Sequence, residues 1–121
     1  MAFVHLHNHT EYSLLDGLTH VKDMVRRAAE LGMPAVAITD HGVMSGVPEL
    51  CDACDAVEKE TGKRVKPIYG CEVYFTTDEE LRKDVKPKLY HLLLLAKTNE
   101  GYHNLLHLVS ESHVDNFYYK P

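Results

Sequence analysis

The sequence predicts an α/β fold built on a parallel sheet, and three observations carry that expectation. Apolar stretches of strand length alternate with amphipathic stretches of helix length, in the order βαβαβ followed by βα. One of them, residues 35–39 (AVAIT), is almost continuously apolar, the form of a strand covered on both faces. Side chains of metal-binding type stand where the strands end, which is where parallel folds gather their function. Right-handed crossovers are expected between the strands.

Taken in order, residues 3–6 read as the first strand. A helix follows over residues 20–31, with Thr19 as N-cap, Val21, Met24, Val25 and Ala28 as its apolar stripe and Gly32 as its stop. Pro34 prevents continuation, and the strand over 35–39 runs into Asp40, His41 and Gly42. The second helix spans residues 47–61, with Val47, Leu50, Cys51, Cys54 and Val57 on one face and Gly62 beyond its end. Pro67 opens a third strand that reaches Glu72 and runs on toward Phe75. Residues 77–88 are polar and charged and read as a mobile loop. Residues 89–96 form a fourth, strongly apolar strand. A last helix over residues 99–112 presents Tyr102, Leu105, Leu106 and Val109 to the core, and the tail from Asn116 to Pro121 is rich in aromatics. There is no internal repeat and no low-complexity segment.

Composition narrows the function classes. At 121 residues the chain is one domain or part of one, and 45% hydrophobic with 26% charged residues is ordinary for a soluble globular protein. No apolar run approaches the roughly 20 residues a bilayer requires, so no membrane is expected. The start, MAFVHLH, lacks the pattern of a secretory signal, and a cytoplasmic location is expected. Cys51, Cys54 and Cys71 are an odd number and too few for a disulfide scaffold. A net charge of −5 argues against a freestanding nucleic-acid binder, which needs clustered Lys and Arg. Nine histidines in so short a chain are the unusual feature.

The histidines organise the functional reading. In HLHNHTEYSLLDG, His5, His7 and His9 occupy alternate positions, and on an extended backbone residues two apart share a face. His7 and His9 therefore aim two imidazoles at one point, and Asp16 adds a hard oxygen from a turn closed by Gly17. Imidazole with carboxylate is the mixture favoured by zinc, manganese and iron. The second strand ends at Asp40 and His41, and the third passes into Glu72. Three strand ends thus deliver ligand-type side chains to one rim. Glu72 is the natural bridge, because its two oxygens can serve two ions about 3.5–4 Å apart.

The stretches HLHNHTEYSLLDG, AVAITDHGVMSG, KPIYGCEVYF, HLLLLAKTNEGYHNL and VDNFYYKP, in that order, resemble the N-terminal PHP (polymerase and histidinol phosphatase) domain of bacterial DNA polymerase III alpha subunits, across essentially the whole chain. The resemblance implies a distorted barrel of seven strands surrounded by helices, of which this chain holds about half, and a cluster of up to three divalent ions (Zn, Mn or Fe) at its mouth. It places the metal ligands at His7, His9, Asp16, His41, Glu72, His91 and Asp115. Glu72, His9 and Asp40 are expected to carry the chemistry, Asp40 as a supporting residue. The family's last motif, an Asp and a His, has no counterpart here, so the chain reads as the N-terminal part of the domain, without a polymerase active site. All-parallel strands put His91 at the far end of its strand, away from the other ligands, in tension with the ligand set.

The other singled-out residues read more plainly. Cys51 and Cys54 have CxxC spacing without a second pair and are expected to pack in the core. His103 and His107, four apart on a helix, read as a solvated face, as do His20 and the acidic run from Asp78 to Glu80. Cys71 reads as a packed small side chain. His113 stands close enough in sequence to Asp115 to reach the rim, and His5 either orients a ligand or fills an interior site.

Three functions follow from the resemblance. The first is metal-dependent hydrolysis of a phosphoester, with a DNA 3′ end (proofreading) or pyrophosphate as substrate. The second is a brace for the rest of a polymerase chain, which contacts DNA elsewhere, and a dock for a proofreading subunit. The third, a freestanding small-molecule phosphatase, fits the chemistry but not the LLDG form of the first motif or the FYYKP ending. Half a barrel leaves an open strand edge and apolar surface, so self-association is expected.

Overall fold

The computed structural model describes residues 3–77 and 88–114. Among them the elements run α1 (Val21–Glu30), β1 (Ala35–Ile38), α2 (Val47–Thr61), β2 (Lys66–Phe75), β3 (Tyr90–Leu95) and α3 (Asn99–Val114). The fold is mixed α/β, with the three strands side by side in the order β1-β2-β3.

α1 and α2 are fixed by their apolar stripes and their stops. Val21, Val25, Ala28 and Ala29 of α1 and Val47, Leu50, Ala53, Cys54 and Val57 of α2 are buried and form one cluster with Val36, Ile38, Val65 and Cys71 of the sheet region. Gly62 ends α2 in the left-handed conformation (φ 71°), and its N–H reaches Glu58 O at 2.9 Å. The N-cap of α1 is His20 rather than Thr19, without a side-chain capping bond. Cys51 is exposed and only Cys54 joins the core, because the buried stripe of α2 runs through Leu50, Ala53, Cys54 and Val57 and leaves Cys51 to one side. α3 packs on the sheet through buried Leu105, with Tyr102 5.5 Å from Tyr69 ring to ring.

β1 and β2 are parallel, with Ala35 opposite Lys66 and Ile38 opposite Tyr69. The pairing resumes three residues further on as an isolated parallel bridge between His41 and Glu72. Two differences from the sequence expectation matter for the site. Residues 3–6 form no strand: Ala37 N–H reaches His5 O and Thr39 N–H reaches Asn8 O, both at 3.1 Å, and the Asn8 side chain takes Ala37 O at 2.9 Å where a ladder would continue. The N-terminal segment is thus extended beside β1 but pinned at single points.

The second difference is that β3 is antiparallel to β2, not parallel, with Phe75 opposite Tyr90 and Tyr74 opposite His91. A parallel neighbour needs a crossover, usually helical, and the polar stretch after β2 has no helical apolar stripe. The start of β3 therefore lies beside the C-terminal end of β2. His91 and Glu72 sit two residues apart on one face of this pair, and the tension over His91 disappears.

Candidate metal centre

Glu72 is the hub. Its side chain is only 6% exposed, and its two oxygens face different histidines. His7 Nε2 donates to Oε2, with His9 Nε2 3.3 Å from the same oxygen. His91 Nδ1 donates to Oε1, with His41 Nδ1 3.7 Å away. Burial alone would push the Glu72 carboxyl upward. Hydrogen bonds from His91 and His7, with the charges of His41 and His7, outweigh it and hold the group below the usual carboxylate range.

Two groups of ligand atoms result, His7, His9 and Glu72, and His41, Glu72 and His91, with atoms in each within 4.8 Å of one another. His9 and His41 stack at 4.0 Å with 14° between ring planes, which fixes their orientation. Asp16 Oδ2 accepts from His41 Nε2 at 2.9 Å, the ring nitrogen opposite the one that faces Glu72, and so orients the imidazole. The donor set of imidazole nitrogens around a buried carboxylate fits zinc, manganese or iron. His9 turns Nε2 toward Glu72, and its Nδ1 is buried with no hydrogen-bond partner among the described residues.

The elements that aim these side chains are legible one by one. β2 carries Glu72, an isolated bridge three residues past the parallel ladder sets His41 beside Glu72, and Gly42 N–H bonds Glu72 O at 2.8 Å. The antiparallel register brings His91 in from β3. His7 and His9 arrive on the pinned N-terminal segment.

Asp40 stands apart from the ligands. It is 1% exposed, and both its oxygens are occupied: Oδ1 accepts Thr10 N–H at 2.5 Å and Ser13 O–H at 2.9 Å, and Oδ2 accepts Thr10 O–H at 2.8 Å. Its contacts are those of a loop anchor. Thr10 and Ser13, both buried, were not singled out in the sequence, where a hydroxyl in a loop gives no signal of its own.

Asp115, like the acidic run from Asp78 to Glu80, lies outside the described residues. His5 is exposed and packs edge-on against Phe3 at 4.8 Å, so it fills no interior site. His103 and His107 are on the exposed face of α3, and His113 bonds back to Val109 O at 2.9 Å on its own helix. Burial pushes the thiols of Cys54 and Cys71 up to about 11, as packed and unreactive groups.

Comparison with known proteins bears on this geometry directly. The family described as "PHP domain" matches residues 5–121. DNA polymerase III subunit alpha of Helicobacter pylori (strain ATCC 700392 / 26695) is 45% identical over 120 residues, 99% of this chain and 9% of that protein. The same subunit of Treponema pallidum is 40% identical over 124 residues, covering 100% of this chain and 10% of that protein. That of Deinococcus radiodurans is 42% identical over 129 residues. The chain thus spans about a tenth of the length of the curated relatives it matches. A crystal structure from Bifidobacterium adolescentis, of a candidate metal-dependent phosphoesterase, superposes with a TM-score of 0.54 at 25% identity, over 88% of this chain and 33% of that one.

Proposed function

The chain belongs to the PHP domain family, and on that premise we propose that it is the N-terminal part of a PHP domain that binds divalent cations for phosphoester chemistry, within a replicative DNA polymerase of the DNA polymerase III alpha type. The carrying observation is Glu72, a buried carboxylate whose two oxygens each meet a different pair of histidines. His7, His9, Asp16, His41, Glu72 and His91 would hold the ions, and Asp115 is proposed as a seventh ligand. Bound ions would supply Lewis acidity and an activated water toward a phosphoester. Glu72 keeps the charge that holds the ligand set together, and the stacked rings of His9 and His41 hold their nitrogens in place. Asp40 anchors the loop that carries Asp16.

The proposed parent is a DNA-directed DNA polymerase working on DNA in the cytoplasm, and the proposed substrate of the PHP site is a DNA 3′ end or pyrophosphate. Likeness to the polymerase subunits and to the candidate phosphoesterase supports this reading. A barrel continued beyond this chain is supported by the 33% of the structural neighbour that it matches.

The test is equilibrium dialysis of the chain against Zn(II) and Mn(II), with elemental analysis, beside a Glu72→Ala control. Retention of at least one ion per wild-type chain, lost in the control, is expected. Equal retention in both would overturn the metal-binding reading. In a full-length relative carrying these same ligands, release of nucleotides from single-stranded DNA with Mn(II), abolished by the change equivalent to Glu72→Ala, would establish the catalytic part.

A second reading, a brace and dock for the polymerase and a proofreading subunit, is favoured by exposed apolar side chains beside the site: Leu14, Leu15 and Leu18 are 88%, 103% and 92% exposed. Here ligand substitutions would leave nuclease activity unchanged and weaken the parent's stability or docking. Self-association of the isolated chain belongs to either reading, because β3 pairs only with β2 among the described residues and carries exposed Leu92 and Leu95.

A further inference from the structure

Ser13 ties together two segments that carry ligand side chains. Its hydroxyl donates to Asp40 Oδ1 at 2.9 Å and accepts the His41 N–H at 3.1 Å. Its carbonyl accepts Asp16 N–H at 3.1 Å and Gly17 N–H at 2.8 Å. A single residue, 3% exposed, therefore fixes the backbone of both His41 and Asp16, whose side chains meet at 2.9 Å.

The other half of the cluster has separate supports. Asn8, between His7 and His9, receives Thr39 N–H on its carbonyl at 3.1 Å, and its side-chain amide donates to Ala37 O at 2.9 Å. Its own N–H reaches Thr39 Oγ1 at 2.8 Å. None of these bonds passes through Ser13. Asp40 keeps its two bonds from Thr10 when the Ser13 hydroxyl is removed.

We propose that Ser13 is a positioning residue for one half of the cluster, holding His41 and Asp16 in the register that lets His41, Glu72 and His91 share a cation while Asp16 fixes the far nitrogen of the His41 ring, and that the His7, His9 and Glu72 half is set independently. The proposal rests on the metal-binding reading above. Its physical basis is tolerance: ligand atoms must converge to within about 0.2 Å, and loss of an outer hydrogen-bond partner typically weakens a metal site about 10- to 100-fold. Removing the Ser13 hydroxyl leaves the His41 N–H without its acceptor and frees the segment to relax.

The experiment titrates the 121-residue chain with Co(II), read by its visible absorption and by competition with a chelator. Wild type, Ser13→Ala, His7→Ala and the double variant are compared, with circular dichroism as the check on folding. Wild type is expected to take two ions. Ser13→Ala keeps one at wild-type affinity and binds the other about 10- to 100-fold more weakly. In the His7→Ala background the Ser13 effect persists on the remaining ion. Equal affinities in wild type and Ser13→Ala, or equal weakening of both ions in a folded Ser13→Ala chain, would overturn the proposal.

If Ser13→Ala does not fold, amide exchange in the wild-type chain decides. Binding in the His41 half should slow exchange of the His41 N–H at least about tenfold, whereas binding in the His7 half should not. An unchanged rate overturns the assignment. A wild-type chain that takes no Co(II) refutes the metal-binding reading itself, and that result is seen before any Ser13 variant is compared.

Discussion

His41 Nε2 lies 2.9 Å from Asp16 Oδ2 although 25 residues separate them. Asp16 is on a surface loop and His41 follows β1, so this contact reports directly on whether the loop is seated. Replacing Asp16 by Asn keeps the shape and removes the charge. The exposed pair contributes little to stability, under about 1 kcal/mol. Asp16→Asn is therefore expected to leave the melting temperature within about 3 °C of wild type while lowering affinity for one divalent ion. Paired thermal melts and Co(II) titrations check both halves of that statement.

Glu72→Gln should act on both halves at once. The amide can neither supply two anionic oxygens nor accept bonds from His7 and His91 in the same way. Affinity for every bound ion is expected to fall by more than about 100-fold, beyond the usual effect of an outer partner. Competition against a chromophoric chelator measures it, and an ion retained at wild-type strength would contradict the shared-carboxylate arrangement.

Asp40→Ala removes the acceptor of three hydrogen bonds in a buried position. Leaving those donors unsatisfied costs about 1–3 kcal/mol for each group that finds no water, so a loss of about 3 kcal/mol or more is expected. Urea denaturation reads it as a lower midpoint. A change below about 0.5 kcal/mol would mean that the anchor is not in place.

Gly17→Ala is a steric test of the same loop. A Cβ at Gly17 would stand 1.8 Å from Thr10 O, closer than any rearrangement of a side chain can relieve, so the backbone must move. Overpacking of this kind costs about 1–3 kcal/mol. The expected signature is a lower unfolding midpoint together with weaker binding in the Asp16 half.

The pair of His20 and Glu11 predicts a pH dependence. His20 Nδ1 lies 2.5 Å from Glu11 Oε2, and this hydrogen bond, then the Glu11 charge, raises the His20 imidazole above its usual value. A raised folded value means that the stabilising contribution is fully present below the unfolded value, about 6.5, and is lost as pH rises through the folded one. The gap in melting temperature between wild type and His20→Ala is therefore expected to be wider at pH 5.5 than at pH 9. A gap that widens with pH would reverse the assignment.

Much of this was legible in the sequence, for reasons that also explain the rest. The stripes of α1 and α2 and the apolar run of β1 are local patterns, and the strand and helix bounds follow them closely. His7, His9, His41 and Glu72 were readable because two-residue alternation and strand ends are local too. Strand direction is not local, and a parallel β3 was the wrong inference from alternation alone. The clue was the missing helical stripe between Phe75 and Tyr90, since a parallel partner needs a crossover. His91 needed that direction before its place made sense. Residues 3–6 had strand composition but gave up the ladder, because Asn8 takes Ala37 O with its side chain. Thr10 and Ser13 were invisible because their worth depends on Asp40, about 30 positions away.

The single-point fastening of the N-terminal segment has its own consequence. A strand woven into a sheet is held along its whole length, but this arm is fastened at separate points, His5 and Asn8 against β1 and Thr10 on Asp40. Where two of the imidazoles stand therefore hangs on a handful of individual bonds, each removable by one substitution, rather than on a ladder that no single change undoes.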